Sequence, residues 1–488
     1  MSQPAVPLRL HGPAGRGTLL AVILASGMVF LDSTVVNVAL PHLGADLHSD
    51  TAGLQWTVNG FLLTLAAFVL LGGGLGDRFG RRRIFLLGVG WFTGASVLCG
   101  LAPTIEWLII ARVLQGVGGA LLTPGSLALL QASFHPDDRG RAIGAWSGLT
   151  GVSTALGPFV GGWLIDALSW RWIFLMNVPL ALVVLVAALR WIPESRNPDA
   201  GRTPGAGAGQ HHRRDRRDRH RFDLAGALLG ALGLAGVTYA LIEARQYGGG
   251  SVPVVVAALV GVVASAAFVL VERRRGGTAM LPPELFRSRL FSVLNGYTVM
   301  VYAALGGLTF FLALQLQTVA GYSALATGLA TLPMTILLLV GSPRAGALAT
   351  RIGPRLPLTV GPVVAAVGFL LLHGIDENAP YWTEVFPGVA LFGLGMTLVV
   401  APLTASVLGA VADRFAGVAS GTNNAASRAG GLLAVAALPL LVGLSERGYD
   451  VPAEFTAAFR AAMYWCAGLM LVGAALAALL IRGATRES

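Results

Sequence analysis

Fourteen stretches of this chain have the length and apolarity of a helix that crosses a bilayer, about 20 mostly apolar residues each. The first six are 17–40, 53–75, 83–101, 104–130, 141–164 and 171–192; two more are 222–243 and 252–271; the last six are 290–314, 323–343, 356–373, 383–411, 417–444 and 457–481. No other feature restricts the fold as strongly. Within hydrocarbon every backbone N–H and C=O must be satisfied inside the protein, so each run is expected to be a helix. The charge content agrees: 12% of the 488 residues are charged, against about 25% in a soluble domain. The expected fold class is an all-α integral membrane protein with 14 transmembrane helices.

The charges that remain set the topology. All 34 basic residues are Arg. Without Lys there is no P-loop of the form GxxxxGK[ST], whose Lys contacts nucleotide phosphates, so no ATP drive from within this chain is expected. Counting loops from the N-terminus, 28 of the 34 Arg fall on one side. Arg171, Arg245, Arg447 and Arg460 fall on the other, and Arg112 and Arg428 lie inside helices. Arg-rich loops stay in the cytoplasm, which predicts cytoplasmic termini and assigns the net charge of +10 to topology rather than to nucleic acid. The first run follows Arg9 and Arg16 as a signal peptide would, but it is too long, contains Asp32 and lacks a small-x-small cleavage site, so it is expected to be retained. Cys99 and Cys466 lie in apolar runs and imply neither a disulfide framework nor a metal site.

Residues 193–221 are Pro/Gly-rich and then dense in Arg, and they divide the chain. The basic run is expected to lie against anionic headgroups, and His211, His212 and His220 within it are read as solvated rather than metal-binding. The expected organisation is a six-helix bundle over 1–192, the linker, two inserted helices over 222–271, and a second six-helix bundle with its tail over 272–488. A repeat supports this division. Gly73-x3-Asp77-Arg78-x-Gly80 recurs as Gly346-x3-Thr350-Arg351-x-Gly353 at an offset of 273, and Asp138-Arg139 recurs as Asp413-Arg414 at an offset of 275. Parallel repeats of this kind are typical of transporters that alternate access about a central site.

Charges and polar groups inside the runs mark candidate sites, because a charge at that depth costs several kcal/mol. Asp32, in residues 31–41 (LDSTVVNVALP), and Arg112 both lie about 10–14 Å from the outer ends of their predicted helices by a rise of 1.5 Å per residue. A carboxylate poised between burial and a nearby Arg can take up a proton on one side and release it on the other. A static ion pair locking the two helices is the competing reading. Asn423, Asn424 and Arg428, within SGTNNAASRAGG at 420–431, are too polar to face lipid. Arg428 is a candidate for an anionic substrate group or for Asp32. Asn37, Trp146, Tyr297 and Gln315 are further candidates to line a cavity.

Five motifs in order then carry a family resemblance: LDSTVVNVALP at 31–41, GGLGDRFGRR at 73–82, LIIARVLQGVGG at 108–119, GPFVGG at 157–162 and WRWIFLMNVP at 170–179. The chain resembles the major facilitator superfamily, in particular its fourteen-helix drug:proton antiporter branch, the EmrB/QacA type. The resemblance implies the major facilitator fold and proton-coupled export of amphipathic compounds, with no enzymatic activity and no cofactor, driven by the proton gradient. It implies that Asp32 and Arg112 couple protons, and that Gly73, Asp77, Arg78, Gly80, Arg81 and Arg82 form a cytoplasmic gate. It also makes Gly157, Pro158, Gly161 and Gly162 a tightly packed antiporter motif that limits leakage. Thr350 stands where the repeat has Asp77, and beyond residue 290 every acid falls in a loop, helix end or tail, which argues against multivalent cations as substrate. The expected partners are protons, an amphipathic small molecule and membrane lipid, for a monomer in the inner membrane. Uptake of a small solute is the alternative.

Overall fold

The computed structural model describes residues 7–195, 224–276, 279–412, 415–445, 448 and 451–481. Most of the 193–221 linker therefore lies outside the described residues, as do Asp413, Arg414 and the side chain of Asp77. The described residues are helical throughout, apart from turns and one isolated bridge between Leu8 and Phe134. The first group of helices is α1 (Pro13–Asp46), α2 (Thr51–Phe79), α3 (Arg81–Gly100), α4 (Ile105–Ser133), α5 (Pro136–Ala167), α6 (Trp172–Leu175) and α7 (Asn177–Trp191). Then come α8 (Leu224–Glu243) and α9 (Val252–Arg275). The second group is α10 (Arg289–Leu314), α11 (Ala324–Ala330), α12 (Leu332–Ile352), α13 (Arg355–Leu372), α14 (Phe386–Gly409), α15 (Ala416–Leu441) and α16 (Pro452–Leu480).

Among the described residues, thirteen helical stretches are long and apolar enough to cross a membrane. The run expected at 141–164 is not one of them, although it lies in a 32-residue helix, α5. Positions 147, 151, 154 and 155 within it are not fully among the described residues, so no uninterrupted described stretch of span length falls there. Helix ends also differ from expectation. Helix α1 runs to Asp46 rather than residue 40, and the 171–192 and 323–343 runs are interrupted, giving α6 and α7, and α11 and α12. Short polar side chains close several ends: Asp50, Thr104, Ser288 and Ser323 each accept from a backbone N–H one turn on.

The two groups pack their helices in the same way. In the first, α2 and α3 lie on α4, while α5 and α7 lie on α1. In the second, α12 and α13 lie on α14, while α15 and α16 lie on α10. The corresponding tight turns also match: Gly80, between α2 and α3, has φ 112°, and Gly353, between α12 and α13, has φ 82°. Both values favour glycine, which has no Cβ to clash.

Between the groups, α2 meets α15, α5 meets α11, and α1 meets α10. The bonds that join them cluster at the end away from Gly80. Gln55 donates to the Val435 and Ala436 carbonyls (2.6 and 3.1 Å) and Gln317 to the Val38 carbonyl (2.9 Å). Asp166 accepts from the backbone of Ala324 (3.2 Å) and Leu325 (2.9 Å). Helix α8 packs on both α2 and α15, and Glu243 at its end accepts from the Trp56 indole (2.7 Å). Helix α9 packs on α8 and presents Val262, Val263 and Leu270 outward, as a lipid-facing helix does.

Candidate functional site

Asp32 is 0% exposed and Arg112 1%, and the two are joined by a hydrogen-bonded ion pair from Arg112 Nη1 to Asp32 Oδ2. Because α1 continues to Asp46, Asp32 lies farther from the outer end than the 17–40 boundary implies, though still just past the middle of its helix on that side. The pairing with Arg112 nevertheless joins α1 to α4.

A polar network about the pair draws on five helices, α1, α2, α3, α4 and α7. Gln115, one turn beyond Arg112 on α4, accepts from Arg112 (2.6 Å) and donates to Asp32 Oδ1 (2.8 Å) and to Ser96 of α3 (2.6 Å). Asn177, the first residue of α7, donates to Ser96 (3.0 Å) and to Asp32 Oδ1 (3.5 Å). Arg112 Nε donates to the Thr57 carbonyl of α2 (3.1 Å), and the Phe61 ring lies 4.3 Å from the guanidinium carbon. Asp32 accepts from every partner, the role of a carboxylate with acceptors only. A charge pair this deep is tolerable because each charge is met by the other and by further donors or acceptors.

Gln115, Ser96 and Asn177 were not anticipated. Gln115 had a signal: it sits three residues after Arg112, on the same helix face. Asn177 lies within the 170–179 motif and carries an amide at a helix start. Ser96 had none.

The Gly157–Gly162 segment packs on α1 beside Asp32. A Cβ at Gly157 would stand 2.1 Å from Thr34 Oγ1, and one at Gly161 would stand 1.9 Å from Val35 Cγ2. At Gly162 it would stand 2.4 Å from the Ala324 carbonyl, in the second group of helices. Real Cβ atoms do not approach so closely, so glycine is what lets α5 touch both α1 and α11. Pro158 lies inside α5, and its carbonyl abuts Gly328 of the second group.

The expected gate residues lie at the end of α2, the Gly80 turn and the start of α3. A Cβ at Gly73 or Gly76 would meet only ordinary contacts, at 3.5 and 3.9 Å, so neither glycine is required there by close approach. Gly72 is the crowded position, 2.1 Å from the Ala120 carbonyl, and Gly80 makes the turn. Arg82 donates its side chain to the Leu189 carbonyl (2.8 Å) and its backbone to Glu194 (3.2 Å), while Arg81 takes the Ser195 carbonyl with its backbone N–H (2.9 Å). Arg78 is exposed, with its guanidinium over the adjacent Phe79 ring. The loop is thus tied to the chain segment after α7.

The expected cavity residues separate into two groups. Tyr297 is fully buried in the second group, donating to the Leu358 carbonyl (3.0 Å), and Gln315 is buried at the opposite end, donating to the Ile375 carbonyl (2.9 Å). Neither meets the first group of helices through these bonds; which face a helix turns to its neighbours is set by packing, not by one polar residue. Trp146 donates to Ser26 (2.9 Å), tying α5 to α1, and Asn37 donates weakly to the Ser33 carbonyl (3.4 Å). Asn423 donates to Thr298 (2.7 Å) and is partly buried, as are Asn424 and Arg428. Arg428 faces the first group, 5.7 Å from the Phe30 ring, and is bonded to no residue of the Asp32 network.

Residues 22–435 match the family model of the Major Facilitator Superfamily. The chain belongs to this superfamily. It is a multi-pass membrane protein of the major facilitator fold. It is 36% identical over 439 residues to the tetracenomycin C resistance and export protein of Streptomyces glaucescens, covering 88% of this chain and 78% of that one. It is 35% identical over 486 residues to the puromycin resistance protein pur8 of Streptomyces alboniger, covering 96% and 92%. Among solved structures, a bacterial homologue of the human lysosomal transporter Spinster, inward-facing and unoccupied, superposes with a TM-score of 0.63 at 19% identity, covering 96% of this chain and 97% of that one. A peptide transporter in complex with sulfate gives 0.67 at 15% identity, covering 97% and 96%.

Proposed function

We propose that this major facilitator protein exports amphipathic or hydrophobic drugs in exchange for protons, as a member of the fourteen-helix drug:proton antiporter branch. Relatives named for resistance to and export of antibiotics, at about 35% identity, support the export reading. The observation that carries proton exchange is the buried Asp32–Arg112 pair with Gln115 and Asn177 about it. Helix α5 is the fourteenth span, and the chain divides at 193–221 into two six-helix bundles with α8 and α9 between them. The Arg-rich, Gly80 end is cytoplasmic and holds both termini, in the inner membrane. The described conformation, joined at the other end, is then the inward-facing one, and the protein acts as a monomer.

A proton on Asp32 cancels its charge and frees Arg112 to its other partners, Gln115 and the Thr57 carbonyl. Helix α1 can then shift against α4. Because Thr34 and Val35 seat on Gly157 and Gly161, the shift reaches α5, and Gly162 and Asp166 pass it to α11 in the other bundle. Gly73, Asp77, Arg78, Gly80, Arg81 and Arg82 serve the opposite closure, at the cytoplasmic gate. The cavity between the bundles holds Asn37, Trp146, Asn423, Asn424 and Arg428.

The test is export from proteoliposomes under an imposed pH gradient, screening cationic, neutral and anionic fluorophores. Asp32→Asn retains the side-chain shape, so the expected result is loss of gradient-driven export with downhill exchange of substrate intact. Proton release at wild-type stoichiometry in this variant would show the pair to be a static lock.

A further inference from the structure

We propose, resting on the export reading above, that Arg428 is the binding group for the acidic end of the substrate. The compound it selects is an amphipathic aromatic acid, ionised at neutral pH.

Arg428 lies near the middle of α15 and reaches across the seam between the bundles to the Phe30 ring, 5.7 Å away. Its Nε is shielded from solvent and has no hydrogen-bond partner among the described residues. No ion pair is formed by this guanidinium among them either. Asp32, only two residues from Phe30 in sequence, is committed elsewhere: its oxygens take Arg112, Gln115 and Asn177 on the far side of α1. The other carboxylates among the described residues sit at helix ends or in loops. The seam at this depth therefore carries an uncompensated positive charge, which is costly in a low-dielectric site unless an anion meets it.

The neighbours fit such an anion. Asn424 precedes Arg428 by four residues, so the amide and the guanidinium share a helix face. Asn424 is partly buried, and among the described residues its side chain forms no hydrogen bond, in contrast to Asn423, which is spent on Thr298. A carboxylate there would accept charge-assisted hydrogen bonds from Arg428 and one from Asn424. Phe30 offers an apolar face for the body of the ligand. An ammonium compound would meet repulsion at the same place.

The experiment uses the full-length protein in detergent and three probes of one shape: pyrenebutyrate, pyrenebutanol and pyrenebutylamine. Wild-type protein is expected to bind the acid about tenfold more tightly than the alcohol, the effect of one or two charge-assisted hydrogen bonds, and the amine most weakly. Arg428→Gln should bring acid and alcohol together, while Arg428→Lys keeps most of the preference. Asn424→Leu leaves the guanidinium in place and should lower acid affinity by a smaller factor than Arg428→Gln does. Equal binding of the three probes by wild type, a preference that survives Arg428→Gln, or an equal loss for all three probes in that variant overturns the assignment. Acid export that ignores an imposed pH gradient, with the binding preference intact, removes the exchange reading and leaves this site standing.

Discussion

Arg112 and Arg428 are the two arginines placed by the sequence inside helices, and they live in opposite circumstances. Arg112 is enclosed by Asp32, Gln115, the Thr57 carbonyl and the Phe61 ring, within one bundle. Arg428 sits at the seam between bundles with an aromatic face for a neighbour and no bonded acid among the described residues. A charge that must stay in the membrane permanently is fully satisfied by its own protein. One that is left unsatisfied is available to something that comes and goes. The first arrangement suits a proton switch, the second a ligand.

The comparison can be broken by stability measurements before any transport assay. The largest effect is expected for Arg112→Leu, which strands the Asp32 charge in the core and should cost about 3–5 kcal/mol, read as loss of monodisperse protein or of most of its thermal stability in detergent. Adding Asp32→Asn to that variant should recover much of the loss, since no buried charge is then unpaired; if it recovers nothing, the pair is not coupled as the geometry indicates. Gln115→Leu should come next, at about 1–3 kcal/mol, because it removes a donor to Asp32 and an acceptor from Arg112 together. Arg428→Gln should change the melting temperature least, within about 1 kcal/mol in either direction, because it removes a charge with no hydrogen-bond partner to strand. A loss there as large as for Arg112→Leu would make the second arginine a structural group like the first.

The pairing of Asp32 with Arg112 was legible because charges inside 20-residue apolar runs are expensive, and two of opposite sign at matched depth have an obvious use for each other. The remainder of the network was not. Gln115 and Asn177 are ordinary amides in the sequence, and Ser96 is one serine among many. Their role comes from α3, α4 and α7 meeting α1 at one level. The same limit explains Tyr297 and Gln315: each is polar enough to suggest a cavity, yet each is turned to a backbone carbonyl inside the second bundle. The importance of Gly72 over Gly73 is likewise a matter of which residue of α2 crosses α4 most closely.

By itself, the sequence determined that this chain is a bundle of membrane helices, where its charges are improbable, and that its two ends of the repeat turn on glycines 273 residues apart. These follow from local physics: apolar length, desolvation cost and backbone freedom. Only the tertiary structure decided which charges meet, which glycines are crowded, and that the bundles join at one end through Gln55, Gln317 and Asp166. A helix fixes the spacing of its side chains but not its rotation against a neighbour, and that rotation is chosen by packing across the whole molecule.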